Sequence, residues 1–136
     1  MAILKMNENT PLEFGLYSLG DHLLNPHNGE KVSYEQRIQE LIEASQLAEQ
    51  AGIDVFGVGE SHQEHFTTQA HTVVLGAIAQ ATNKIKISSS SSIISAADPV
   101  RIFEDFATLD LISHGRAEIV AGRASRTGLF DLFGLD

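Results

Sequence analysis

Two short stretches hold most of the residues in this chain that could do chemistry. In GESHQEH (59–65) the imidazoles of His62 and His65 stand among the carboxylates of Glu60 and Glu64. Imidazole takes up and releases protons near neutral pH, so His62 is a candidate general acid or base. The spacing of His62 and His65 does not match the His-Glu-x-x-His arrangement that aims two ligands from one helix face. The segment reads as a loop, so no metal is expected. In GRAS (122–125) an arginine follows a glycine. A planar guanidinium suits phosphate and a glycine lets backbone approach closely, which makes Arg123 a candidate anion ligand. The chain has no cysteine, so thiol catalysis, disulfides and zinc–thiolate sites are excluded.

A third stretch, KISSSSSIISAADPVR (86–101), poses a different question. Five consecutive serines suggest a flexible linker by composition. The flanks favour a strand: isoleucines stand on both sides, and Asp98-Pro99 then opens a helix. The Asp98 carboxylate can accept backbone N–H groups as an N-cap, and proline loses nothing at the first helical position. Asp98 is therefore a cap rather than a catalyst.

The elements that must position these residues alternate along the chain. Residues 12–18 (LEFGLYS) form a short strand, and a loop rich in Asn, Pro and Gly follows. Ser33 and Gln36 fit a capping box, and Ile38, Leu41, Ile42, Ser45 and Ala48 recur at helical spacing until Gly52 ends the helix. Residues 53–58 (IDVFGV) read as a second strand that leads into the His62 loop. Ala70, Val73, Val74, Ala77, Ile78 and Ala81 mark a second helix. The serine strand and a helix from Pro99 to about Ser113 make a third unit, and residues 117–121 (AEIVA) a fourth strand with Arg123 at its tip. Alternating strands and helices, with strands too apolar to have a wet face, call for a parallel sheet covered by helices. An open doubly wound sheet and part of a (β/α)8 barrel both satisfy this, and in both the ligand meets the loops after the strands' C-terminal ends. Gly57-Val58-Gly59 is only half of a dinucleotide-binding fingerprint and follows the wrong strand, so close packing explains it.

With 136 residues, 43% of them hydrophobic, the chain is sized for one domain. Nine Lys and Arg against 18 Asp and Glu give a net charge of −9, which disfavours nucleic acid and anionic membrane. No apolar run approaches a membrane span and the N-terminus lacks a signal-peptide core, so a cytoplasmic protein is expected.

EFGLY (13–17), GIDVFGVGESH (52–62), SIISAADPVR (92–101) and LISHGRAEIVAGRAS (111–125), in this order and spacing, resemble the bacterial luciferase-like family of flavin-dependent monooxygenases. The resemblance runs from Glu13 to Asp136. It implies the N-terminal half of a (β/α)8 barrel, about four parallel strands with three helices. Residues 1–11 would be an N-terminal tail and residues 12–136 a half-barrel truncated at its C-terminus. It further implies reduced FMN supplied by a separate flavin reductase, or alternatively a deazaflavin, acting with O2 on a small organic substrate. The non-catalytic alternatives are a flavin-binding protein without turnover and a ligand-free assembly fragment.

By the same resemblance His62 is the catalytic residue and Glu60, Ser90, Ser91 and Arg123 face the cofactor, with a non-proline cis peptide at Ser90-Ser91 under the flavin ring. Ser61 stands where relatives carry their first histidine. A half-barrel leaves the first and fourth strands as open edges, so a homo-oligomer is expected. His62 and Arg123 should share one rim of the sheet.

Overall fold

The computed structural model describes residues 11–126 and 128–135. The expected N-terminal tail, residues 1–11, lies outside the described residues except for Pro11. Among the described residues six short strands and four helices follow one another: the expected alternation is kept, with the third and fourth strands each split in two and a fourth helix added. They are β1 (Gly15–Ser18), α1 (Tyr34–Gln50), β2 (Val55–Val58), α2 (His71–Ala81), β3 (Lys86–Ser88), β4 (Ser92–Ile93), α3 (Pro99–Ser113), β5 (Ala117–Glu118), β6 (Ala121–Gly122) and α4 (Gly128–Phe133). A 3-10 turn at Ile94–Ala96 joins β4 to α3. The main sheet runs β1-β2-β3-β5 with every neighbour parallel, and β4 pairs with β6, also parallel. This is an α/β half-barrel. No described helix is long and apolar enough to cross a membrane.

Each helix begins and ends where its side chains dictate. Ser33 Oγ accepts from Gln36 N at 3.0 Å, although the Gln36 side chain turns to Glu40 rather than back to the cap. Asp98 Oδ1 accepts from the N–H groups of Val100 and Arg101, with Pro99 at the first helical position. Gly52, at φ +78°, closes α1 as expected, and Gly115, at φ +83°, follows the left-handed His114 that ends α3. Glu49, near the end of α1, accepts from the backbone N–H groups of Asn83, Lys84 and Ile85 and so ties the approach to β3.

Leu16, Phe56, Ile87 and Ala117 sit in one register row, so their side chains leave the same face of the sheet. Phe56, Val58 and Ile87 pack there against Leu41, Val74, Leu75, Ile78 and Leu109 of the helices, and this layer is the core. The opposite face corrects the expectation of dry strands. It carries Tyr17, 72% exposed, and Lys86 between Glu13 (2.7 Å) and Glu118 (3.3 Å). Gly15, Val55 and Gly57 read as apolar in sequence and hid the alternation.

The serine run is neither linker nor one unbroken strand. Ser88 ends β3, Ser92 begins β4, and residues 89–91 form a kink mirrored by residues 119–120 in the neighbouring strand. Ser89 spans the kink: its Oγ accepts from Val120 N at 2.9 Å and lies 3.3 Å from Val120 O, while Ser89 N donates to Glu118 O. A hydroxyl here replaces backbone partners that the bend separates. Ser89 is fully buried, so alanine would leave Val120 N–H without its acceptor. The expected cost of Ser89→Ala is about 1–3 kcal/mol. Urea unfolding checks it, and a loss below about 0.3 kcal/mol would show that the kink holds without the hydroxyl.

Every peptide bond in the described residues is trans, which corrects the expected cis bond at Ser90-Ser91. The turn is made by φ instead. Ser90 takes a left-handed φ of +41°, and Ser91 N–H donates to Ser89 O. Room for this turn comes from glycines on the neighbouring strands. A Cβ on Gly57 would lie 1.8 Å from Ser90 Oγ, and one on Gly122 2.1 Å from Ser91 Oγ.

Candidate active site

The loop after β2 is pinned from two sides. Thr68 Oγ1 donates to Leu19 O at 2.7 Å, Thr67 N and Oγ1 both donate to Gly20 O, and His22 N donates to His65 O. Gly20 is left-handed, at φ +64°, and so close that a Cβ would meet Thr67 Oγ1 at 2.2 Å. On the other side Glu60 N donates to Ser91 O at 3.0 Å, and Glu60 Oε2 accepts from Ile93 N at 2.6 Å. One residue thereby joins the loop to the end of the serine kink and to β4.

The second oxygen of that carboxylate, Oε1, lies 2.7 Å from His62 Nε2. Both side chains are largely buried, 12% and 14% exposed. An ionised carboxylate only accepts, so Nε2 carries the proton of this bond and Nδ1 is the nitrogen left to meet a ligand. The pair lines a cavity of about 340 Å³ together with Ser61, Ile93, Ser125, Arg126, Leu129 and Leu132 among others. Helix α4 forms one wall, with Leu129 buried and the Phe133 ring edge-on to His62 at 5.0 Å.

The expected site residues divide. Glu60 and His62 meet in the cavity. His62 and Arg123 follow the C-terminal ends of β2 and β6, hence the same rim of the sheet. Arg123 is exposed and outside the cavity lining, and Arg126, three residues on, lines it instead. Ser90 and Ser91 are half-buried against Gly57 and Gly122, also outside that lining. Neither arginine makes an ion pair among the described residues, in a chain with twice as many acids as bases.

Sequence reasoning missed three participants. His71, the first residue of α2, is 4% exposed and its Nε2 lies 2.7 Å from Ser92 Oγ. Its Nδ1 faces Glu60 Oε2 at 3.9 Å. Burial holds the His71 imidazole below its ordinary pKa, with the His62 charge acting in the same direction and Glu60 and Asp105 opposing. The available signal was an imidazole opening an otherwise apolar helix. Ser92 was hidden in the serine run. Arg126 and α4 lay in GLFDLFGLD and its approach, where no strand–helix repeat flagged them.

The fold and this rim define an α/β half-barrel with a carboxylate–imidazole pair opening on a cavity beyond the strand ends. Residues 13–136 match the luciferase-like monooxygenase family, and the chain belongs to it. It is 28% identical over 97 residues to an N-acetyl-S-alkylcysteine monooxygenase of Bacillus subtilis, covering 71% of this chain and 29% of that protein. The fold matches the oxygenating constituent of 3,6-diketocamphane monooxygenase from Pseudomonas putida, solved in complex with FMN, with a TM-score of 0.76 at 19% identity over 91% of this chain and 33% of that one. It also matches a coenzyme F420-dependent tetrahydromethanopterin reductase from Methanopyrus kandleri, with a TM-score of 0.65 at 26% identity over 93% of this chain and 31% of that one. The chain spans about a third of the length of the curated relatives it matches.

Proposed function

We propose that these residues are the N-terminal half of the site of a flavin-dependent monooxygenase, which uses reduced FMN from a separate reductase and O2 to oxidise a small organic substrate. The observation that carries this reading is the Glu60–His62 pair at 2.7 Å, set in a cavity at the strand ends with Arg126 beside it. The donor set fits the cofactor. Arg126 in the cavity lining, and Arg123 three residues before it, are suited to the ribityl or phosphate oxygens. FMN, when bound in its reduced form, supplies the electrons that activate O2. The chain's own residues then do three things. His62 gives or takes a proton at Nδ1, Glu60 fixes the ring that carries it, and Ile93, Leu129 and Leu132 give the cavity an apolar wall for the substrate. Ser61 leaves His62 as the single imidazole of this triplet.

The match to an F420-dependent reductase supports a second reading, in which the ring is a deazaflavin. We place the protein in the cytoplasm, where reduced flavin is available. We also take it to be a homo-oligomer: edge strand β1 and its approach leave Leu12, Phe14, Leu16 and Tyr17 between 52% and 72% exposed.

Flavin titration tests the reading. The phosphate of FMN in (β/α)8 proteins usually sits on loops after the last two strands. By themselves these 136 residues, which match about a third of the length of their relatives, should bind FMN no tighter than about 100 μM, whereas adding the C-terminal half of a relative should bring binding below about 1 μM. Two or three charge-assisted hydrogen bonds are worth that difference. Submicromolar binding to the chain alone would overturn the half-site argument. A completed barrel that bound neither FMN nor deazaflavin would overturn the function. N-acetyl-S-alkylcysteines are the first substrates to assay.

A further inference from the structure

The face of the main sheet that turns away from the helices carries a charge that its own residues leave unbalanced. Tyr17, Gly57, Ser88 and Glu118 stand there in one register row, with Gly15, Val55 and Lys86 in the next. Lys86 Nζ lies 2.7 and 2.9 Å from the two carboxylate oxygens of Glu13 and 3.3 Å from Glu118 Oε1, so one ammonium faces two carboxylates. The bond to Glu13, and after it that to Glu118, holds the ammonium above the ordinary lysine range. Lys86 therefore stays charged, and one carboxylate is in excess. Arg116, at the foot of β5, does not supply the missing cation, because its guanidinium is committed to Ser113, Thr82, Ile85 and Ala79. In the chain by itself water meets the excess, since the three side chains of the triad are between 38% and 50% exposed. A closed (β/α)8 barrel removes that water: its interior is a packed core of side-chain layers, where a charge without a partner is strongly disfavoured.

We propose that this face is the docking surface for a second set of parallel strands that brings a lysine or arginine side chain against Glu13 and Glu118, so that two cations meet two carboxylates inside the barrel. This rests on the half-barrel reading and is independent of flavin chemistry. Strands are the occupant because β1 is left as an open edge and the chain overlays only about a third of solved proteins of this fold. The charge selects among strands. A second copy joined along β1 leaves the triad as it is, because it brings the same excess of acid.

The test is association, read by sedimentation velocity without flavin, between the 136-residue chain and the separately produced C-terminal half of the Bacillus subtilis relative. Glu118→Gln should weaken association at least about tenfold, because the incoming cation is then buried with one carboxylate too few. Were no cation brought in, the same change would remove an uncompensated charge and tighten association. The sign decides. Glu118→Gln combined with Lys86→Met leaves one carboxylate for one incoming cation, and should recover most of the loss. Glu118 is half-exposed in the chain alone, so its replacement should leave the urea midpoint of the isolated chain unchanged. If Glu118→Gln nevertheless fails to fold, Glu13→Gln puts the same question to the other carboxylate. Unchanged or tighter association in the single variant, or a double variant weaker than the single one, would overturn the proposal. So would a wild-type chain that fails to associate with the half. A complex that shows the charge effect but binds no flavin would overturn the proposed function alone, and one that binds flavin without the charge effect would overturn this inference alone.

Discussion

Replacing His62 with alanine in the completed barrel is expected, on the proposed monooxygenase reading, to lower turnover by about 10²- to 10⁴-fold, with FMN binding changed far less. That range is what a positioned general acid or base contributes. The side chain is 14% exposed and held at 2.7 Å by a carboxylate, and among the described residues lining the cavity it is the one imidazole. His71 is walled off behind Glu60, and Ser61 is 8% exposed and carries no titrating group near neutral pH. The readout is turnover at saturating reduced FMN, beside flavin affinity from fluorescence. A variant that kept more than about a third of the wild-type rate would mean that His62 only lines the cavity. Glu60→Gln should lose less, because an amide can still accept from Nε2–H but carries no charge.

Arg116→Met should destabilise the fold by about 3–5 kcal/mol, a large part of the 5–15 kcal/mol typical of a domain. Arg116 has five N–H groups on its side chain, and each finds an oxygen. Nε donates to Ser113 O at 2.8 Å, Nη1 to Thr82 Oγ1 and Ile85 O, and Nη2 to Ala79 O and Thr82 O. Three of these acceptors, the carbonyls of Ala79, Thr82 and Ser113, stand at the ends of α2 and α3, where unpaired oxygens and the negative pole of each helix meet, so one guanidinium closes both. Methionine matches the length and loses every donor. Lysine offers three donors from one point and cannot span five acceptors, so Arg116→Lys should recover less than half of the loss. Guanidinium chloride unfolding decides it, and a change below about 1 kcal/mol would show that water replaces the side chain at no cost. This end of the sheet lies opposite the cavity, so the effects of the Arg116 variants on stability should be separable from effects on flavin binding.

The alternation of strand and helix was legible because its causes are local. Ser33 and Asp98 cap from within three residues, Gly52 and Gly115 relax to left-handed φ, and the buried positions of α1 and α2 recur at 3.6 spacing, so neighbouring residues alone decide these elements. The rim was legible for a related reason. Once strands are parallel, whatever follows their C-terminal ends gathers on one side, which brings His62 and Arg123 to one edge without any contact between them.

What the sequence could not carry is what depends on residues meeting across the chain. Ser89 bridges a kink only because Val120 lies opposite, 31 positions away. Ser90 turns left-handed because Gly57, on another strand, leaves space for its hydroxyl. His71 looked like part of an apolar helix until folding placed Ser92 on one of its nitrogens and Glu60 3.9 Å from the other, and Arg126 looked like a loop residue until α4 folded back beside the cavity. Residue types and their spacing along the chain therefore determined the fold class and the candidate acid–base group. The partner on each polar atom was decided only by tertiary structure, because hydrogen bonds and close packing are fixed by distances in space that local sequence does not set.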